Sequence, residues 1–120
     1  MNIMYKYAIY SIEILKDYLP IRPKVQLTQA KTYYGNCYTE SLNDKIDKAV
    51  IRLSRWNHID QLWLMDHEDH IEIIDTICHE LAHLLCFEHC KEHTELTAAF
   101  KDHVILYFEE MGFIEKEVAA

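Results

Sequence analysis

The sequence predicts one small α+β domain, and two kinds of hydrophobic periodicity predict it. Apolar residues recur at three- and four-residue steps over 4–19, over 69–86 and over 92–111, as on the buried face of a helix. Between the first two of these segments, residues 24–34 and 49–54 alternate as strand residues do. At 120 residues the chain is long enough for a single hydrophobic core. The order is therefore an N-terminal helix, a small sheet that we expect to be mainly antiparallel, and two further helices.

The first half of the chain supplies the N-terminal helix and the sheet. The helix has Ala8, Ile12, Leu15 and Leu19 on one side, and Pro20 is expected to stop it. Gly35-Asn36 predicts a turn, and residues 37–47 are polar enough for a short strand plus a loop. The clearest strand is 49–54, in which Ala49, Ile51 and Leu53 share one face. Residues 56–68 are ambiguous, with a short helix expected around 60–65.

The second half of the chain supplies two long helices. Asp69 followed by Glu72 predicts an N-cap with its capping-box partner. A buried stripe follows, made of Ile71, Ile74, Cys78, Leu81 and Leu85 and widened by Ile73, Ile77 and Leu84. The last helix, 92–111, has its own predicted stripe of Leu96, Phe100, Val104, Tyr107 and Met111, and it is expected to end at Gly112.

The opposite side of the first long helix carries a pattern that predicts metal chemistry. Residues 79–83 read His-Glu-Leu-Ala-His, which is H-E-x-x-H. His79 and His83 are one helical turn apart, so both imidazoles can reach one ion from the same face. Glu80 lies beside them, where a carboxylate can take a proton from a water that zinc activates. The two histidines fall opposite the apolar stripe, with Glu72 and Thr76, and are expected to face a cleft.

His89 is the predicted third ligand, because a catalytic zinc site needs three protein ligands and an open fourth position. For His89 to turn back, the chain must leave the helix near residues 86–88, and it has no glycine there. His93, Glu92 and Glu95 are alternative third ligands. The donor for an oxyanion is not identified: Tyr33, Tyr34, Tyr38 and His93 are candidates, and each is better explained by packing or by a surface position.

The remaining cysteines and histidines are given structural roles. Cys86 and Cys90 could form a second site with His83, but small reduced core residues are the favoured interpretation. His58, His67, His70 and His103 are expected at the surface, and Arg52 and Arg55 are expected as solvated strand-edge charges rather than substrate ligands.

Composition restricts the partners and the compartment. A net charge of −8 argues against nucleic-acid binding, which usually requires a basic patch. No apolar run is long enough to span a membrane, and no secretory segment follows the N-terminus. Four cysteines without a C-x-x-C pair indicate neither a zinc ribbon nor a disulfide scaffold. The sequence therefore predicts a cytoplasmic protein whose partner is a protein or peptide substrate. Its oligomeric state is left open.

Four segments resemble SprT-like zinc metallopeptidases. The segment 75–83 (DTICHELAH) is similar to their active-site helix, and 89–96 (HCKEHTEL) is similar to the H-G-x-x-F-x-x-L segment that follows it, with Cys90 in the glycine place and His93 in the aromatic place. Upstream, 34–37 (YGNC) and 51–54 (IRLS) resemble the family's glycine-containing strand and its I-x-L-S strand. Relatives with this third-histidine spacing occur among the WLM and YgjP-like peptidases.

The resemblance implies a minimal zincin fold over residues 1–120, with Zn²⁺ bound by His79, His83 and His89 and with Glu80 as general base. The implied function is a zinc-dependent metallopeptidase. The alternative is a zinc-binding module with a regulatory or protein-interaction role and little or no proteolytic activity. That alternative is motivated by the small size of the chain, by the lack of a glycine at Cys86, where the metzincin version of this spacing has one, and by His93 at the place of an aromatic residue.

Overall fold

Three helices and a three-stranded sheet make up the fold. The computed structural model describes residues 2–58 and 66–114, which form α1 (Ile3–Leu15), a 3-10 turn (Lys16–Tyr18), β1 (Lys24–Thr28), β2 (Gly35–Leu42), β3 (Lys45–Ser54), α2 (His67–Ala82) and α3 (Lys91–Glu110). The mixed α+β class predicted from the periodicity is confirmed. The short helix expected at 60–65 falls outside the described residues. Within the part of the chain that is described, no helix is both long and apolar enough to cross a membrane.

Helix α1 begins where its sequence supplies a cap. The Asn2 Oδ1 accepts a hydrogen bond from the Tyr5 N–H at 3.1 Å, which pairs one of the otherwise free amides of the first turn. Its buried face includes Ala8, Ile12 and Leu15, as the periodicity predicts. The α-helix ends at Leu15, earlier than expected, and the chain tightens into a 3-10 turn before Leu19 becomes extended ahead of Pro20.

The sheet has β3 at its centre. Its order is β1-β3-β2, with β2 antiparallel and β1 parallel to β3. The expectation of a mainly antiparallel sheet therefore holds for the longer β2–β3 pairing but not for β1–β3. As predicted for the central strand, Ala49, Ile51 and Leu53 are all buried.

The predicted turn at Gly35-Asn36 is wrong. Gly35 pairs with Leu53 as the first residue of β2, and the hairpin turn lies at Asn43-Asp44. Both turn residues have positive φ, 53° and 64°, which is the backbone of a two-residue turn that matches the twist of a hairpin. Asn and Asp tolerate this conformation better than most residues, so the signal was present in the sequence.

Helix α2 begins one turn earlier than predicted. Asp66 is the N-cap, and its side chain accepts the Asp69 N–H at 2.9 Å, so Asp69 is the residue being capped. Ile73, Ile74, Ile77, Cys78 and Leu81 form the buried face. Leu85 lies beyond the end of the helix and is exposed, contrary to its predicted place in the stripe.

Helix α3 packs against α2 with a face that differs in part from its predicted stripe. Phe100 and Val104 are buried as expected, whereas Tyr107 and Met111 are exposed. The buried face instead includes His93, Thr97 and Phe108. Thr97 and Phe108 each lie one residue after a predicted stripe position, and two of these three buried side chains are polar. Gly112 follows the helix with φ 75°, as predicted for a residue after a C-cap. The expectation that His58 is exposed is wrong, since it is buried, and His67, His70 and His103 are half-buried.

The buried hydroxyl of Thr97 leads to a prediction about stability. Its Oγ1 is buried without a hydrogen-bond partner among the described residues, whereas the Thr94 hydroxyl donates to the Cys90 carbonyl at 3.2 Å. Because an unpaired buried hydroxyl costs free energy, we expect Thr97→Val to raise the free energy of unfolding by about 1 kcal/mol. Urea denaturation measures this, with Thr94→Val as the matched control. A Thr97→Val protein less stable than the wild type would contradict the assignment.

Candidate metal centre and cleft

In the turn between α2 and α3, the predicted ligand His89 contacts both of the other predicted ligands. The Nε2 of His89 is 3.1 Å from the Nε2 of His79 and 3.0 Å from the Nε2 of His83. Zinc–nitrogen bonds of 2.0–2.1 Å in tetrahedral geometry place two ligand nitrogens about 3.3 Å apart. The two observed distances are therefore close to those between ligand nitrogens of a tetrahedral zinc site.

Hydrogen bonding fixes which nitrogen His83 can offer to a metal. Its Nδ1 lies 3.1 Å from the carbonyl oxygen of Cys86. A carbonyl only accepts, so Nδ1 carries the proton and donates, and the neutral ring keeps its lone pair on Nε2. That lone pair faces the Nε2 of His89. Backbone orientation of a ligand imidazole through its other nitrogen is common in zinc sites.

His93 also lies in this cluster and raises a choice between two ligand sets. Ligand atoms of His79, His83 and His93 all lie within 4.8 Å of one another, so these three residues form a second compact triad. The His93 Nε2 lies 3.0 Å from the carbonyl of His79 and donates to it, which leaves Nδ1 as the nitrogen of His93 that could bind a metal. The Nε2 of His89, by contrast, lies within 3.1 Å of the Nε2 atoms of both His79 and His83. We therefore favour His89 as the third ligand and keep His93 as the alternative.

The two glutamates predicted as possible third ligands are on the exposed side of α3. Both Glu92 and Glu95 are exposed, and the Glu95 carboxylate lies 3.8 Å from the Lys91 ammonium. Among the described residues, the histidines are the metal-binding side chains that cluster here.

The turn that carries His89 is made without glycine. Helix α2 gives way to tighter hydrogen bonds, in which the Leu84 N–H donates to Leu81 at 3.1 Å and the Leu85 N–H donates to Ala82 at 3.0 Å. The described residues with positive φ are confined to Asn43, Asp44 and Gly112, so this turn contains none. A short 3-10-like segment thus ends the helix and turns the chain, which at other helix ends is done by a glycine in the left-handed conformation.

The environment keeps the two helical histidines neutral. Burial, followed by the positive charges of His93, His83 and His89, lowers the pKa of His79 to about 4. The pKa of His83 is lowered by burial as well. Neutral imidazoles bind metal, so protons compete weakly for these ligands at neutral pH.

Glu80 is a buried carboxyl in the wall of the cleft. Only 5 % of its surface is exposed, and burial raises its pKa from 4.5 to about 7. A base whose pKa lies near the working pH is well matched to proton transfer. The placement of Glu80 on α2, one residue after His79, directs it into the same cleft as the histidines.

The cleft lies between the start of β2 and the α2–α3 turn. It has a volume of about 390 Å³ and is lined by Gly35, Asn36, Cys37, His79, Glu80, His83, Phe87 and His89. Sequence reasoning missed the roles of Gly35, Cys37 and Phe87. Of these, Phe87 is 58 % exposed and gives the cleft an apolar wall next to the histidines. The Cys37 pKa is raised to about 11 by burial and by the charge of Glu80, so this residue is an unreactive thiol.

Gly35 allows β2 to approach α2 closely. A Cβ at this position would lie 3.0 Å from the Arg52 carbonyl oxygen, 3.1 Å from Thr76 Cγ2 and 3.2 Å from Glu80 Oε2. The glycine is thus required for close packing beside the candidate base, rather than for the turn predicted from Gly35-Asn36.

We expect Gly35→Ala to lower the free energy of unfolding by about 1–3 kcal/mol, because the new methyl group overpacks against backbone and against Glu80. Chemical denaturation measures the change, with Ser41→Ala at the exposed far end of β2 as the control. An unchanged denaturation midpoint would show that β2 can move away from α2 at no cost.

The candidates for an oxyanion donor are mostly engaged elsewhere. The Tyr33 hydroxyl donates to Thr28 Oγ1 at 3.2 Å, and the Tyr38 hydroxyl donates to Glu40 at 2.6 Å. Tyr34 remains a candidate, since it lines the arm of the cleft that runs past Glu80 and Thr76. Arg52 is half-buried on the central strand β3 rather than a solvated strand-edge charge, and it donates to Gln26 at 2.9 Å and to Asn36 at 3.4 Å.

Comparisons of this chain with models of known families, with curated proteins and with solved structures found no match. The chemistry of the site therefore has to be argued from its own residues.

Proposed function

We propose that this protein is a zinc-dependent metallopeptidase of the SprT-like type. The observation that carries the proposal is that the Nε2 of His89 lies 3.1 Å from the Nε2 of His79 and 3.0 Å from the Nε2 of His83, beside a buried Glu80. Each neutral imidazole carries a single N–H, and that of His83 is already donated to the Cys86 carbonyl. Without a cation, the contacts among the three Nε2 atoms would therefore lack the protons that hydrogen bonds need. A cation between them removes that conflict.

His79, His83 and His89 would hold the zinc ion. When bound, zinc supplies a Lewis acid that polarises a carbonyl group and lowers the pKa of its water towards ~7. The Cys86 carbonyl keeps the Nε2 of His83 available as a ligand. The His93 N–H to the His79 carbonyl holds α3 against the ligand-bearing turn of α2.

Glu80 would act as the general base and then as the acid. Its carboxylate accepts the proton of the attacking water and gives it to the amine that leaves the cleaved peptide bond. Its raised pKa favours both transfers near neutral pH. A nearby dication would favour the charged form and so increase the fraction of Glu80 that is ready to accept a proton.

The substrate would be an extended segment of protein or peptide. Strand β2 is an outer strand of the described sheet, and its first residues, Gly35 to Cys37, form one side of the cleft. A peptide that adds to this free edge would pass between β2 and the α2–α3 turn. Its side chains would then meet Phe87 on the opposite wall.

Metal content and proteolysis test the proposal together. Elemental analysis of the protein purified without chelator is expected to give about one zinc per chain, which follows from a single three-histidine site. Incubation with an unfolded protein substrate should yield fragments, and a chelator should stop their formation until zinc is restored. A protein that binds no metal at neutral pH excludes both this proposal and the one that follows.

A second function, a zinc-binding module with little turnover, is favoured by one observation. The hydroxyls of Tyr33 and Tyr38 are hydrogen-bonded away from the cleft, which leaves few donors for an oxyanion. This function predicts zinc binding without cleavage of any substrate. Fragments that depend on Glu80 would count against it.

A further inference from the structure

Two cysteines flank the residue that completes the candidate metal centre. The Sγ atoms of Cys86 and Cys90 lie 3.1 Å apart, on either side of His89 in the chain. Both residues are half-buried and carry free thiols. The sequence favoured small core residues at these positions, and the structure instead places them, half-buried, in the turn between α2 and α3.

Cys86 and Cys90 are the two cysteines of the described residues whose sulfur atoms contact each other. Cys78 is fully buried in the core, and Cys37 is half-buried and lines the cleft beside Glu80. A disulfide bond needs the two sulfur atoms at about 2.05 Å, so Cys86 and Cys90 have to approach by about 1 Å. Nearby backbone that is already in a non-helical turn can absorb such a shift.

We propose that Cys86 and Cys90 form a modification site: a disulfide that closes a five-residue loop around His89. The oxidant is a small-molecule disulfide of the glutathione class. One cysteine thiolate attacks it and releases one small thiol, forming a mixed disulfide. The second cysteine thiolate then attacks that mixed disulfide and releases the second small thiol. The protein loses two protons and two electrons, and the small disulfide gains both.

The disulfide would fix the position of His89. The Cys86 end is tied to α2, since its N–H donates to Ala82 at 3.0 Å and its carbonyl accepts from His83. The Cys90 end is tied to α3, because its carbonyl accepts the Thr94 N–H at 3.0 Å. His89 lies between these two anchors and is itself exposed. Joining the anchors limits the freedom of the loop while leaving the His89 Nε2 where the other imidazoles meet it.

The first experiment tests the disulfide itself and needs no metal. The metal-free full chain is equilibrated in glutathione buffers of increasing oxidised fraction, then trapped and mapped by mass spectrometry. We expect a mass decrease of about 2 Da, from the loss of two hydrogens, located in the peptide that contains both cysteines. Cys37→Ser should behave like the wild type, whereas Cys86→Ser should give only a mixed disulfide with glutathione. A wild-type protein that accumulates glutathione adducts at Cys86 or Cys90, without the internal bond, would overturn the proposal.

The second experiment tests the effect on the metal centre and rests on the proposed function. Zinc is loaded on the reduced and the oxidised protein, and its release to a chromophoric chelator is followed. Because the loop is ordered beforehand, we expect release to be about two- to tenfold slower from the oxidised form. Equal or faster release overturns the coupling to His89. A reduced protein that binds no zinc overturns the metal centre, while the mass map still decides the disulfide.

Discussion

In a Glu80→Gln variant, peptide cleavage is expected to fall by about 10²–10⁴-fold while zinc binding is retained. The amide keeps the size of the side chain but cannot accept a proton, and general-base catalysis typically contributes a factor of this order. Glu80 is not among the three proposed ligands, so the metal content should stay the same. Fragment formation and zinc content measured on one preparation check both statements. Cleavage at the wild-type rate would remove Glu80 from the mechanism.

The same variant should be more stable than the wild type when metal is absent and the pH is high. Burial raises the pKa of folded Glu80 to about 7 from 4.5. The neutral acid is therefore tolerated in the folded state below pH 4.5, and stability is lost as pH rises through 7 and the buried group becomes charged. Glutamine never carries that charge, so Glu80→Gln should gain about 1–3 kcal/mol at pH 8 and almost nothing at pH 4.5. Urea denaturation with a chelator at the two pH values measures the difference. His79 and His83 titrate in both proteins, so their contributions cancel in the comparison. An equal gain at both pH values would contradict the buried-charge explanation.

Removal of His89 is expected to weaken zinc binding more than removal of His93. The His89→Ala variant loses a proposed ligand, and its zinc dissociation constant should rise by more than about a hundredfold. The His93→Ala variant loses the hydrogen bond to the His79 carbonyl, a supporting role for which a rise of about ten- to a hundredfold is typical.

Competition with a chromophoric chelator measures both constants, with His103→Ala on α3 as the control for histidine removal. His93→Gln should recover part of the loss, because the amide can still donate to the His79 carbonyl. If His93→Ala loses more zinc than His89→Ala, the ligand set is His79, His83 and His93 instead.

The candidate site was more predictable than the sheet, for a physical reason. His79, Glu80 and His83 are separated by fixed steps on one helix, so their common direction follows from helix geometry alone. His89 needed only a local turn. By contrast, the parallel pairing of β1 with β3 joins residues some 26 positions apart, as in Lys24 with Val50, and nothing in either strand specifies it. Strand patterns indicate which face is buried and do not indicate which strand is the neighbour.

Gly35 shows why the Gly35-Asn36 pair was wrongly interpreted as a turn. A glycine beside an asparagine is typical of turns, and the same glycine is equally typical of a place where backbone is closely approached. Only the tertiary structure distinguishes the two, since the crowding comes from Thr76 and Glu80 on a helix some 40 residues later. The role of His93 was open for the same reason: its buried position depends on how α3 packs against α2.

The locality of the ligand set affects how much zinc can stabilise the fold. His79, His83 and His89 all fall within eleven consecutive residues, and all three lie on α2 or in the turn that follows it rather than on the sheet. An unfolded chain therefore keeps the three imidazoles close together and retains part of its affinity for zinc. Ligand linkage stabilises a protein only by the difference in affinity between the folded and unfolded chains. The rise in melting temperature on adding zinc should thus be smaller than the dissociation constant of the folded protein alone implies. During folding, the helix pair should bind the ion before the sheet has formed.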